Sequence, residues 1–430
     1  MTGTSSPHVI IIGAGFAGQS AAAGLRKAGA RVTIIDKNLY STFQPLLYQV
    51  ATGGLNPGDI AYPVGGFAAP RGAAYKRGEL AAVDARGQTV KLNDGREFSY
   101  DYLVIATGVV ANYFGIPGAA EYTFGLYNRG DAIVLRDHIM NGFEQLSADT
   151  TGNREFTVTV VGGGATGVEM AGTLGELSSA MLRATFPNVD PARVHVRLIE
   201  MAPHLLMPFD DKLRQYTEKQ LEKRGIELLL STKLKSVGPD RVVLDGGDAG
   251  DKDLPSDLTI WAAGVAAPAS VRDWGLPQGR GGRIEVGPDL CVTGQERIFA
   301  AGDIAVQPET PAPQLATPAL QGGKHAGEQI ASLVKGGSTT TFVFRDRGIM
   351  ATIGRRSAVV QIPKLPTFTG TLAWLAWLAL HLAYLLGFRN RIQTLINLSW
   401  RYLAWGRGTG AILGDEPSEP LPGDRAAVEP

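Results

Sequence analysis

The stretch 8–36 reads HVIIIGAGFAGQSAAAGLRKAGARVTIID, and it decides the fold of the N-terminal part of the chain. Its apolar start predicts a buried strand, the small residues after the glycines predict a helix, and RVTIID predicts a second strand. Two strands joined by one helix form a βαβ unit, in which the strands lie parallel. The sequence therefore predicts an α/β domain that begins near the N-terminus.

The glycine pattern GAGFAG joins the first strand to the helix. The first glycine allows a tight turn, the second lets a pyrophosphate approach the backbone, and the third lets the helix pack closely. An acid ends the next strand about 20 residues later, where it would bind a ribose. A structural glycine turn is the alternative, but the flanking strand and helix favour a dinucleotide. This first site is assigned to Gly13, Gly15, Phe16, Ala17, Gly18, Asp36 and Lys37.

The pattern recurs in residues 157–200, where TVTVVGGGATGVEMAGTLGEL precedes the strand VHVRLIE. Glu200 ends that strand, and an acid there repels a 2′-phosphate, so NADH is favoured over NADPH. The distance from the glycines to Glu200 is longer than in the usual pattern, so a solvated glutamate at a strand end is the alternative. The second site is assigned to Gly162, Gly164, Thr166, Gly167 and Glu200, with Ala263 and Gly264 from a later strand end.

Two dinucleotide sites in one chain indicate a nicotinamide hydride donor and a flavin acceptor. Three more short apolar strands end in glycine or an acid: one is closed by Ala106, Thr107 and Gly108, one by Gly264, and RIFAAGD by Asp303. They are interpreted as strand ends at which the chain crosses between domains, and these closing residues are assigned to cofactor binding. The predicted fold class is α/β, with two Rossmann-like dinucleotide-binding domains, the second inserted in the first. A C-terminal helical region that anchors to a membrane completes this fold class.

The predicted boundaries follow from this interpretation. They are a FAD-binding domain in residues 1–115 and 266–340, an NADH-binding domain in 116–265, a membrane-associating region in 341–414, and a disordered tail in 415–430.

The overall composition excludes several classes of protein. The 41 basic and 41 acidic residues balance, which gives no reason to expect a nucleic-acid partner. Cys291 is the only cysteine, so an intrachain disulfide, a dithiol redox centre and a cysteine-built metal site are excluded. Cys291 is interpreted as a small apolar residue in a strand. No secretory pattern opens the sequence, and no metal site is predicted. We expect the protein in the cytoplasm or on the membrane face that borders it.

The C-terminal region has the profile of a membrane-surface segment. Residues 372–388, LAWLAWLALHLAYLLGF, are apolar but shorter than the about 20 residues of a membrane span. The next stretch is predicted to be amphipathic, with Ile392, Leu395, Ile396, Ser399, Tyr402 and Leu403 on one side. Residues 347–414 contain no acidic residue but include Arg355, Arg356, Lys364, Arg389, Arg391, Arg401 and Arg407, which favours an anionic lipid surface. A spanning helix and a buried dimer interface are the alternatives.

From residue 8 to about residue 410 the chain resembles the type II NADH:quinone oxidoreductases, which belong to the two-dinucleotide-binding flavoproteins. The segment 43–55, FQPLLYQVATGGL, is similar to the family segment that lines the flavin ring and the quinone entrance. The resemblance places Pro45 and Tyr48 near the isoalloxazine and Glu169 at the nicotinamide pocket. It also assigns Gly302 and Asp303 to the ribityl portion of the flavin, where the acid would accept hydrogen bonds from hydroxyls.

The segment 316–330, ATPALQGGKHAGEQI, resembles the family helix that approaches the flavin and the quinone headgroup. Ala316 begins it, and Gln321 matches the second glutamine of the family pattern. Thr317 stands where the family has its first glutamine, and this leaves the acceptor open. MATIGRRSAV, residues 350–359, is similar to the loop that leads to the C-terminal region.

The resemblance implies tightly bound FAD, NADH as substrate, hydride transfer to the flavin, and reduction of menaquinone or ubiquinone without proton pumping. It also implies peripheral or monotopic attachment to the cytoplasmic face of the cell membrane, with a homodimer as an open alternative. A flavoprotein reductase with a soluble or protein acceptor, and a nucleotide sensor with negligible turnover, are the competing functions. Enzymes that need paired cysteines, such as disulfide and sulfide:quinone reductases, are excluded by the single Cys291.

Overall fold

The computed structural model describes residues 6–247 and 250–403, which form two compact units. The first unit contains residues 6–42, 62–110 and 265–347. The second contains residues 43–61, 111–264 without the gap, and 348–403. The chain of the first unit is therefore interrupted twice, once by the short segment 43–61 and once by residues 111–264, which contain the second glycine pattern.

The strands of the described residues are, in chain order, β1 His8–Ile12, β2 Arg31–Asp36, β3 Tyr40–Thr42, β4 Ala61–Pro63, β5 Ala73–Arg77, β6 Leu80–Asp84, β7 Thr89–Leu92, β8 Glu97–Ser99, β9 Tyr102–Ile105, β10 Val110–Ala111, β11 Phe124–Gly125, β12 Phe156–Val161, β13 Val194–Ile199, β14 Ile226–Leu229, β15 Leu234–Val237, β16 Arg241–Leu244, β17 Lys252–Pro255, β18 Leu258–Trp261, β19 Val265–Ala266, β20 Ile284–Glu285, β21 Ile298–Ala300, β22 Ala305–Val306, β23 Ile349–Gly354, β24 Ser357–Gln361 and β25 Phe368–Thr369.

The helices are α1 Phe16–Gly24, α2 Leu47–Ala51, α3 Val64–Ala68, α4 Ala119–Tyr122, α5 Arg129–Ala148, α6 Ala165–Glu176, α7 Leu182–Thr185, α8 Asp211–Glu222, α9 Ala316–Val334, α10 Gly370–Tyr384 and α11 Phe388–Leu403. A π-helical turn, Leu177–Met181, continues α6 into α7.

A five-stranded parallel sheet forms the centre of the first unit, in the order β21-β9-β1-β2-β5. Its central strand β1 is buried at every position, because such a sheet is covered on both faces and needs a continuous apolar sequence. A three-stranded antiparallel sheet, β6-β7-β8, packs into the same core. The predicted βαβ unit of residues 8–36 and the predicted strand Tyr102–Ile105 are confirmed.

Helices α1 and α9 pack closely on each other through glycines in the first unit. A Cβ atom added at Gly323 would lie 2.0 Å from the Ala17 carbonyl oxygen, and one at Gly327 would lie 2.3 Å from that of Ala21. Neither distance is sterically allowed, so these glycines set the separation of the two helix backbones. The contact fixes the start of α9 relative to the first glycine loop.

The second unit repeats the same plan. Its parallel sheet has the order β11-β18-β12-β13-β14, and β15-β16-β17 form a three-stranded antiparallel sheet. The second predicted βαβ unit, built from β12, α6 and β13, is confirmed. A further antiparallel sheet, β23-β24-β25, packs against α6 where a Cβ atom at Gly172 would lie 2.0 Å from the Ile353 carbonyl oxygen.

The C-terminal helices differ in part from the sequence prediction. Ile392, Leu395 and Ile396 of α11 share an exposed face, but Tyr402, predicted on that face, is buried against Trp374 with ring centroids 4.8 Å apart. The reason is that Tyr402 lies at the edge of the apolar arc, where a large ring reaches the protein interior. Arg401, predicted among the lipid-facing cations, is also buried. Within residues 6–247 and 250–403, no helix combines the length and the hydropathy that a membrane crossing requires.

Arg407 and the predicted tail 415–430 lie outside the described residues. Cys291, predicted to lie in a strand, pairs with Phe299 only in an isolated β-bridge and is not part of a longer strand. Its Sγ donates to the Gln295 carbonyl, and burial raises the pKa of the thiol to about 11. This thiol is therefore protonated and unreactive near neutral pH.

Candidate functional site

The first glycine loop has the backbone geometry of a nucleotide cradle. Gly13 has a φ of +100°, and a Cβ atom there would lie 2.2 Å from the Ala106 carbonyl oxygen. A Cβ atom at Gly18 would lie 1.8 Å from the Gly13 carbonyl oxygen. At Gly15, in contrast, no protein atom lies within 4 Å of an added Cβ. The fold itself requires the first and third glycines, so the middle glycine keeps space for something other than protein.

The acid at the end of β2 is tied to this loop. One oxygen of Asp36 accepts from the Ala14 N–H at 2.7 Å, and the other accepts from the Asn38 N–H at 2.7 Å. Burial raises the pKa of Asp36, and these two hydrogen bonds oppose the rise. Lys37 is exposed and lies 3.5 Å from the Glu79 carboxylate. The structure therefore fixes Asp36 beside the glycines and leaves Lys37 on the surface.

Two further residues of the first unit, Thr107 and Asp303, have the properties of flavin contacts. The Thr107 hydroxyl is buried without a hydrogen-bond partner in the described part of the chain, between Ala106 and a left-handed Gly108. Burial raises the pKa of Asp303 to about 6, although the Arg283 guanidinium opposes this rise. An orphaned hydroxyl and a buried carboxyl fit the hydroxyls and phosphates of a dinucleotide. With the open cradle at Gly15, they fit FAD.

Gly302 and Phe16 are two further predicted contacts of the flavin. Gly302 has a φ of +79°, and a Cβ atom there would lie 2.9 Å from the Ala17 Cβ. Phe16 is the first residue of α1, so its N–H lies at the end of the helix that attracts anions.

Helix α9 begins in the first unit with Ala316 and Thr317, both half-buried, and no side chain caps its N-terminus. Gln321 follows one turn later. Its amide donates to the Arg345 carbonyl at 2.9 Å and accepts from the Arg345 N–H at 3.0 Å. Gln321 therefore holds the backbone of residue 345, a role that the sequence did not predict, and its contact with quinone stays a prediction.

The second glycine loop reproduces the first. Gly162 has a φ of +110°, and a Cβ atom there would lie 2.8 Å from the Ala262 backbone. A Cβ atom at Gly167 would lie 1.8 Å from the Gly162 carbonyl oxygen. Gly164 has open space at its Cβ position, as Gly15 has. Thr166 is exposed in the first turn of α6. The second unit thus holds a second cradle with the same division between structural and open glycines.

Glu200 occupies the position that corresponds to Asp36. Its carboxylate accepts from the Gly163 N–H at 2.5 Å and from the Ala202 N–H at 2.7 Å. The long distance from the glycines arises because the π-helical turn and α7 extend the helix before β13 begins. The extra residues are therefore accommodated in the helix and not at the strand end.

The strand end after β18 closes the same region of the second unit. Gly264 has a φ of +58°, and its carbonyl oxygen accepts from the Tyr127 hydroxyl at 2.9 Å. A Cβ atom at Gly264 would lie 2.1 Å from the Phe114 ring. Ala263 beside it is half-buried. Both residues lie where a parallel sheet ends, which is where such sheets bind ligands.

Glu169 is a buried acid on α6, one turn after the second glycine loop. Its carboxylate accepts from the Thr352 N–H at 3.3 Å. Burial raises the pKa of Glu169 to about 8, whereas the Thr352 N–H and the Trp377 indole oppose the rise. Glu169 therefore carries a proton at neutral pH and can exchange it near that pH.

The segment 43–61 belongs to the same unit. Pro45 lies in a short 3-10 turn, Gln44–Leu46, and Tyr48 is buried in α2. Burial, and then the Glu169 carboxyl, raise the pKa of Tyr48 well above its ordinary value. The Tyr48 ring lies 6.3 Å from Trp377 on α10. The structure thus brings Tyr48 and Glu169 together, while Thr317 and Gln321 lie in the first unit.

An aromatic group extends from Trp377 toward the end of α10. His381 stacks on Trp377 with ring centroids 4.0 Å apart, and Phe43 meets His381 edge-on at 6.0 Å. Burial lowers the pKa of His381 to about 4, so the imidazole is neutral at pH 7. The histidine that interrupts the apolar segment is therefore an uncharged member of this group.

Sequence reasoning missed several residues around this acid. Thr352, Gln49 and Arg401 bond to or surround the pair of Tyr48 and Glu169. A signal for Arg401 existed, because polar residues recur along α11 at helical spacing opposite its apolar face.

Comparison with known proteins agrees with this geometry. Residues 7–323 match the family described as pyridine nucleotide-disulphide oxidoreductase. The chain is 38% identical to type II NADH:quinone oxidoreductase NdhA of Mycobacterium tuberculosis, over 94% of this chain and 89% of that protein. It is 30% identical to the type II NADH:quinone oxidoreductase of Staphylococcus haemolyticus, over 82% of this chain and 88% of that protein.

Solved structures share the fold. The NDH2 of Plasmodium falciparum in complex with NADH superposes with a TM-score of 0.87 at 19% identity, over 94% of this chain and 100% of that one. The sulfide:quinone oxidoreductase of Aquifex aeolicus gives a TM-score of 0.74 at 19% identity, over 92% and 93% of the chains. These likenesses show the fold, and the sequence identities decide the family. The chain belongs to the pyridine nucleotide-disulphide oxidoreductase family and, within it, to the type II NADH:quinone oxidoreductases.

Proposed function

We propose that this protein oxidises NADH through bound FAD and passes the electrons to a membrane quinone without pumping protons. The observation that carries the proposal is the pair of equivalent cradles, one in each unit, each with an open middle glycine at Gly15 or Gly164. Two such cradles bind two dinucleotides. The relatives named type II NADH:quinone oxidoreductase supply the identity of the acceptor.

The residues of the first unit bind and orient the flavin. Gly15 and the N-terminus of α1 would hold its pyrophosphate, Asp36 a ribose, and Thr107 and Asp303 its remaining hydroxyls. When bound, FAD supplies a two-electron centre that accepts hydride from NADH and gives electrons to quinone. The protein contributes position and the exclusion of water.

The residues of the second unit would bind NADH and hold a proton. Gly164 and Glu200 would hold its pyrophosphate and a ribose, and the carboxylate disfavours the 2′-phosphate of NADPH. Quinone reduction consumes protons, and Glu169 holds one on its carboxyl because burial raises its pKa to about 8. The proton on Glu169 is thus available near neutral pH.

The C-terminal helices support delivery of quinone from lipid. Their exposed large apolar side chains are Leu372, Leu375, Leu380, Phe388, Ile392, Leu395, Ile396 and Trp400. A surface of this kind marks a membrane or protein contact. Each side chain that leaves water contributes on the order of 1–2 kcal/mol. We infer peripheral attachment through this surface to the cytoplasmic face of the membrane.

Charge supports a lipid partner over a second copy of the chain. Arg389 and Arg391 are exposed on α11, and Lys364 is exposed before α10. Residues 347–414 contain no acid, so two copies of this surface would repel each other, whereas anionic headgroups would attract it. A homodimer through the same helices is the competing use of the surface.

Anaerobic stopped-flow spectroscopy of the flavin-loaded protein in detergent tests the reaction. NADH is mixed first and flavin bleaching is followed; menaquinone and ubiquinone analogues are then mixed with the reduced protein. We expect rapid reduction and rapid reoxidation by at least one quinone. Rapid reduction with no response to either quinone would replace the quinone with a soluble acceptor, and slow reduction by NADH would reject the reaction.

A further inference from the structure

A buried arginine lies behind Tyr48. Arg401 is 9% exposed on the inward face of α11. Its Nη1 atom donates to the Gln49 Oε1 atom at 2.6 Å and lies 3.5 Å from the Thr52 hydroxyl. A Cβ atom at Gly54 would lie 1.4 Å from this nitrogen, so the glycine makes room for the guanidinium. In the described chain, the side chains that accept from this cation are neutral.

The guanidinium fixes the direction of a chain of hydrogen bonds. An arginine can only donate, so the atom of Gln49 that faces Arg401 must be its carbonyl oxygen. The amide nitrogen of Gln49 then points the other way and donates to the Tyr48 hydroxyl oxygen at 2.9 Å. The same nitrogen lies 3.3 Å from the Tyr402 hydroxyl. Each step in this chain is set by the one before it.

The direction of these hydrogen bonds determines what the Tyr48 hydroxyl can bind. Its oxygen already accepts from Gln49, so its own hydrogen remains to be donated to another group. Tyr48 stays a protonated donor, because burial and the Glu169 carboxyl raise its pKa well above the ordinary value. The carbonyl oxygens of a quinone are hydrogen-bond acceptors and need a donor of this kind.

We propose that Arg401 is a positioning residue for the acceptor half of the reaction. Through Gln49 it holds Tyr48 as the hydrogen-bond donor to a carbonyl oxygen of the quinone. The inference rests on the proposed function and adds to it the residues that set the polarity of the acceptor site. The cation also adds positive potential beside an oxygen that becomes negatively charged on reduction.

Steady-state kinetics and single-turnover kinetics of four variants of the flavin-loaded protein test the proposal. Gln49→Glu keeps the shape and can pair with Arg401, but a carboxylate only accepts, so it would capture the Tyr48 hydrogen. Arg401→Met removes the guanidinium, whereas Arg401→Lys keeps a group that only donates. Arg193→Met is the matched control, because Arg193 is a partly buried arginine of the same unit that pairs with Asp149.

We expect Gln49→Glu and Arg401→Met to raise the KM for quinone about 10-fold, the loss of one hydrogen bond. Flavin reduction by NADH should be unchanged, and Arg401→Lys should restore most of the affinity. Arg193→Met should lower the melting temperature without changing that KM. If Arg401→Met does not fold, the KM of Gln49→Glu for quinone still tests the proposal.

The proposal is overturned if Gln49→Glu has the wild-type KM for quinone. It is also overturned if both variants slow reduction by NADH as much as reoxidation by quinone, since this would indicate a general structural role. A wild-type protein that reduces no quinone would reject the proposed function, and the inference with it.

Discussion

At the residue level, the two nucleotide loops separate structural glycines from functional ones. Gly13, Gly18, Gly162 and Gly167 meet backbone atoms at distances that no Cβ could tolerate. The middle glycines of the two loops meet nothing, although their φ angles of −76° and −73° suit any residue. The fold therefore does not require glycine at these two positions, and we infer that the proposed ligands do.

Alanine at each middle glycine should separate ligand binding from folding. We expect Gly15→Ala to fold but to lose FAD, because the new methyl group occupies the path of the pyrophosphate. Gly164→Ala should keep its flavin and bind NADH at least about 10-fold more weakly. Flavin absorbance per protein measures the first effect, and a fluorescence titration with NADH measures the second. Each variant is the control for the other, and unchanged affinities in both would contradict the assignment of the two sites.

These single-residue features differ in how well the sequence predicts them. Asp36 lies beside the first loop as the glycine pattern predicts. Glu200 is in the equivalent position despite its spacing, because the sequence does not show that a π-helical turn lengthens the preceding helix. Arg401 is assigned to the lipid surface from its charge. The helical spacing of the polar residues of α11 groups it with them, but does not show that this side faces Gln49, which lies 352 positions earlier in the chain.

At the level of elements, helix contacts in this fold depend on individual missing side chains. Gly322 and Gly323 are neighbours in α9 with opposite surroundings. A Cβ atom at Gly323 would lie 2.0 Å from a backbone oxygen of α1, whereas one at Gly322 would first meet the Leu290 side chain at 3.4 Å. The close contact of α1 and α9 therefore passes through one of the two glycines.

Adjacent substitutions should therefore have opposite effects. Gly323→Ala must push α1 and α9 apart, and we expect it to lower the free energy of unfolding by at least about 2 kcal/mol. Gly322→Ala should be neutral or stabilising by up to about 1 kcal/mol, because alanine favours a helix. Denaturant unfolding of the flavin-loaded variants measures both. Equal destabilisation by the two alanines would show that the close contact of α1 and α9 does not cause the loss of stability.

Helix α11 presents its apolar side outward and its polar side inward. Asn390 donates to the Ala61 carbonyl at 2.8 Å, and Asn397 donates to the Asp59 carboxylate at 2.7 Å. The sequence predicts the amphipathic pattern correctly except at Tyr402, but the pattern alone does not show which side faces the protein. That choice depends on the polar groups of residues 43–61, which lie more than 300 positions earlier.

The outward side predicts the effect of polar substitutions on membrane binding. Combined Phe388→Ser, Ile396→Ser and Trp400→Ser should reduce co-sedimentation with anionic vesicles at least about 10-fold, since each change removes roughly 1–2 kcal/mol of apolar transfer. Val343→Ser is the matched control, because Val343 is 70% exposed in the first unit. Vesicle binding that survives the triple substitution, or is lost equally in the control, would argue against this surface.

At the level of the whole molecule, two units with the same plan each contain one glycine loop with an open middle position. The sequence predicts this duplication, because glycine patterns and alternating elements recur in both halves of the chain. The sequence does not predict which residues surround Glu169. Thr352 and Trp377 come from parts of the chain that share no sequence pattern with α6. Contacts of that kind arise only when distant segments fold together.

The buried acid should make global stability depend on pH. Unfolding returns the pKa of Glu169 from about 8 to its ordinary value of 4.5, so the folded protein binds more protons between these two pH values. Its contribution therefore falls as pH rises through that window and is constant above it. Glu169→Gln should match the wild type at about pH 5 and be more stable at about pH 9.

Thermal unfolding across this pH range measures the difference between Glu169→Gln and the wild type. The exposed Glu121→Gln should show no such trend, which makes it the control. A difference that stays constant with pH would mean that Glu169 is ionised in the folded protein.

The inward hydrogen bonds of α11 have a practical consequence for isolating the protein. The helix is attached to its own unit by polar contacts. Its proposed attachment to lipid is through apolar side chains, so we expect the two attachments to respond to different solvents. A mild detergent should compete for the apolar side and release the protein intact with its flavin. A high-salt wash should leave it on the membrane, because salt screens headgroup attraction but strengthens apolar burial. Urea should instead detach α11 from the rest of its unit. The extracted protein should then keep the yellow colour of its flavin only if the first unit remains folded.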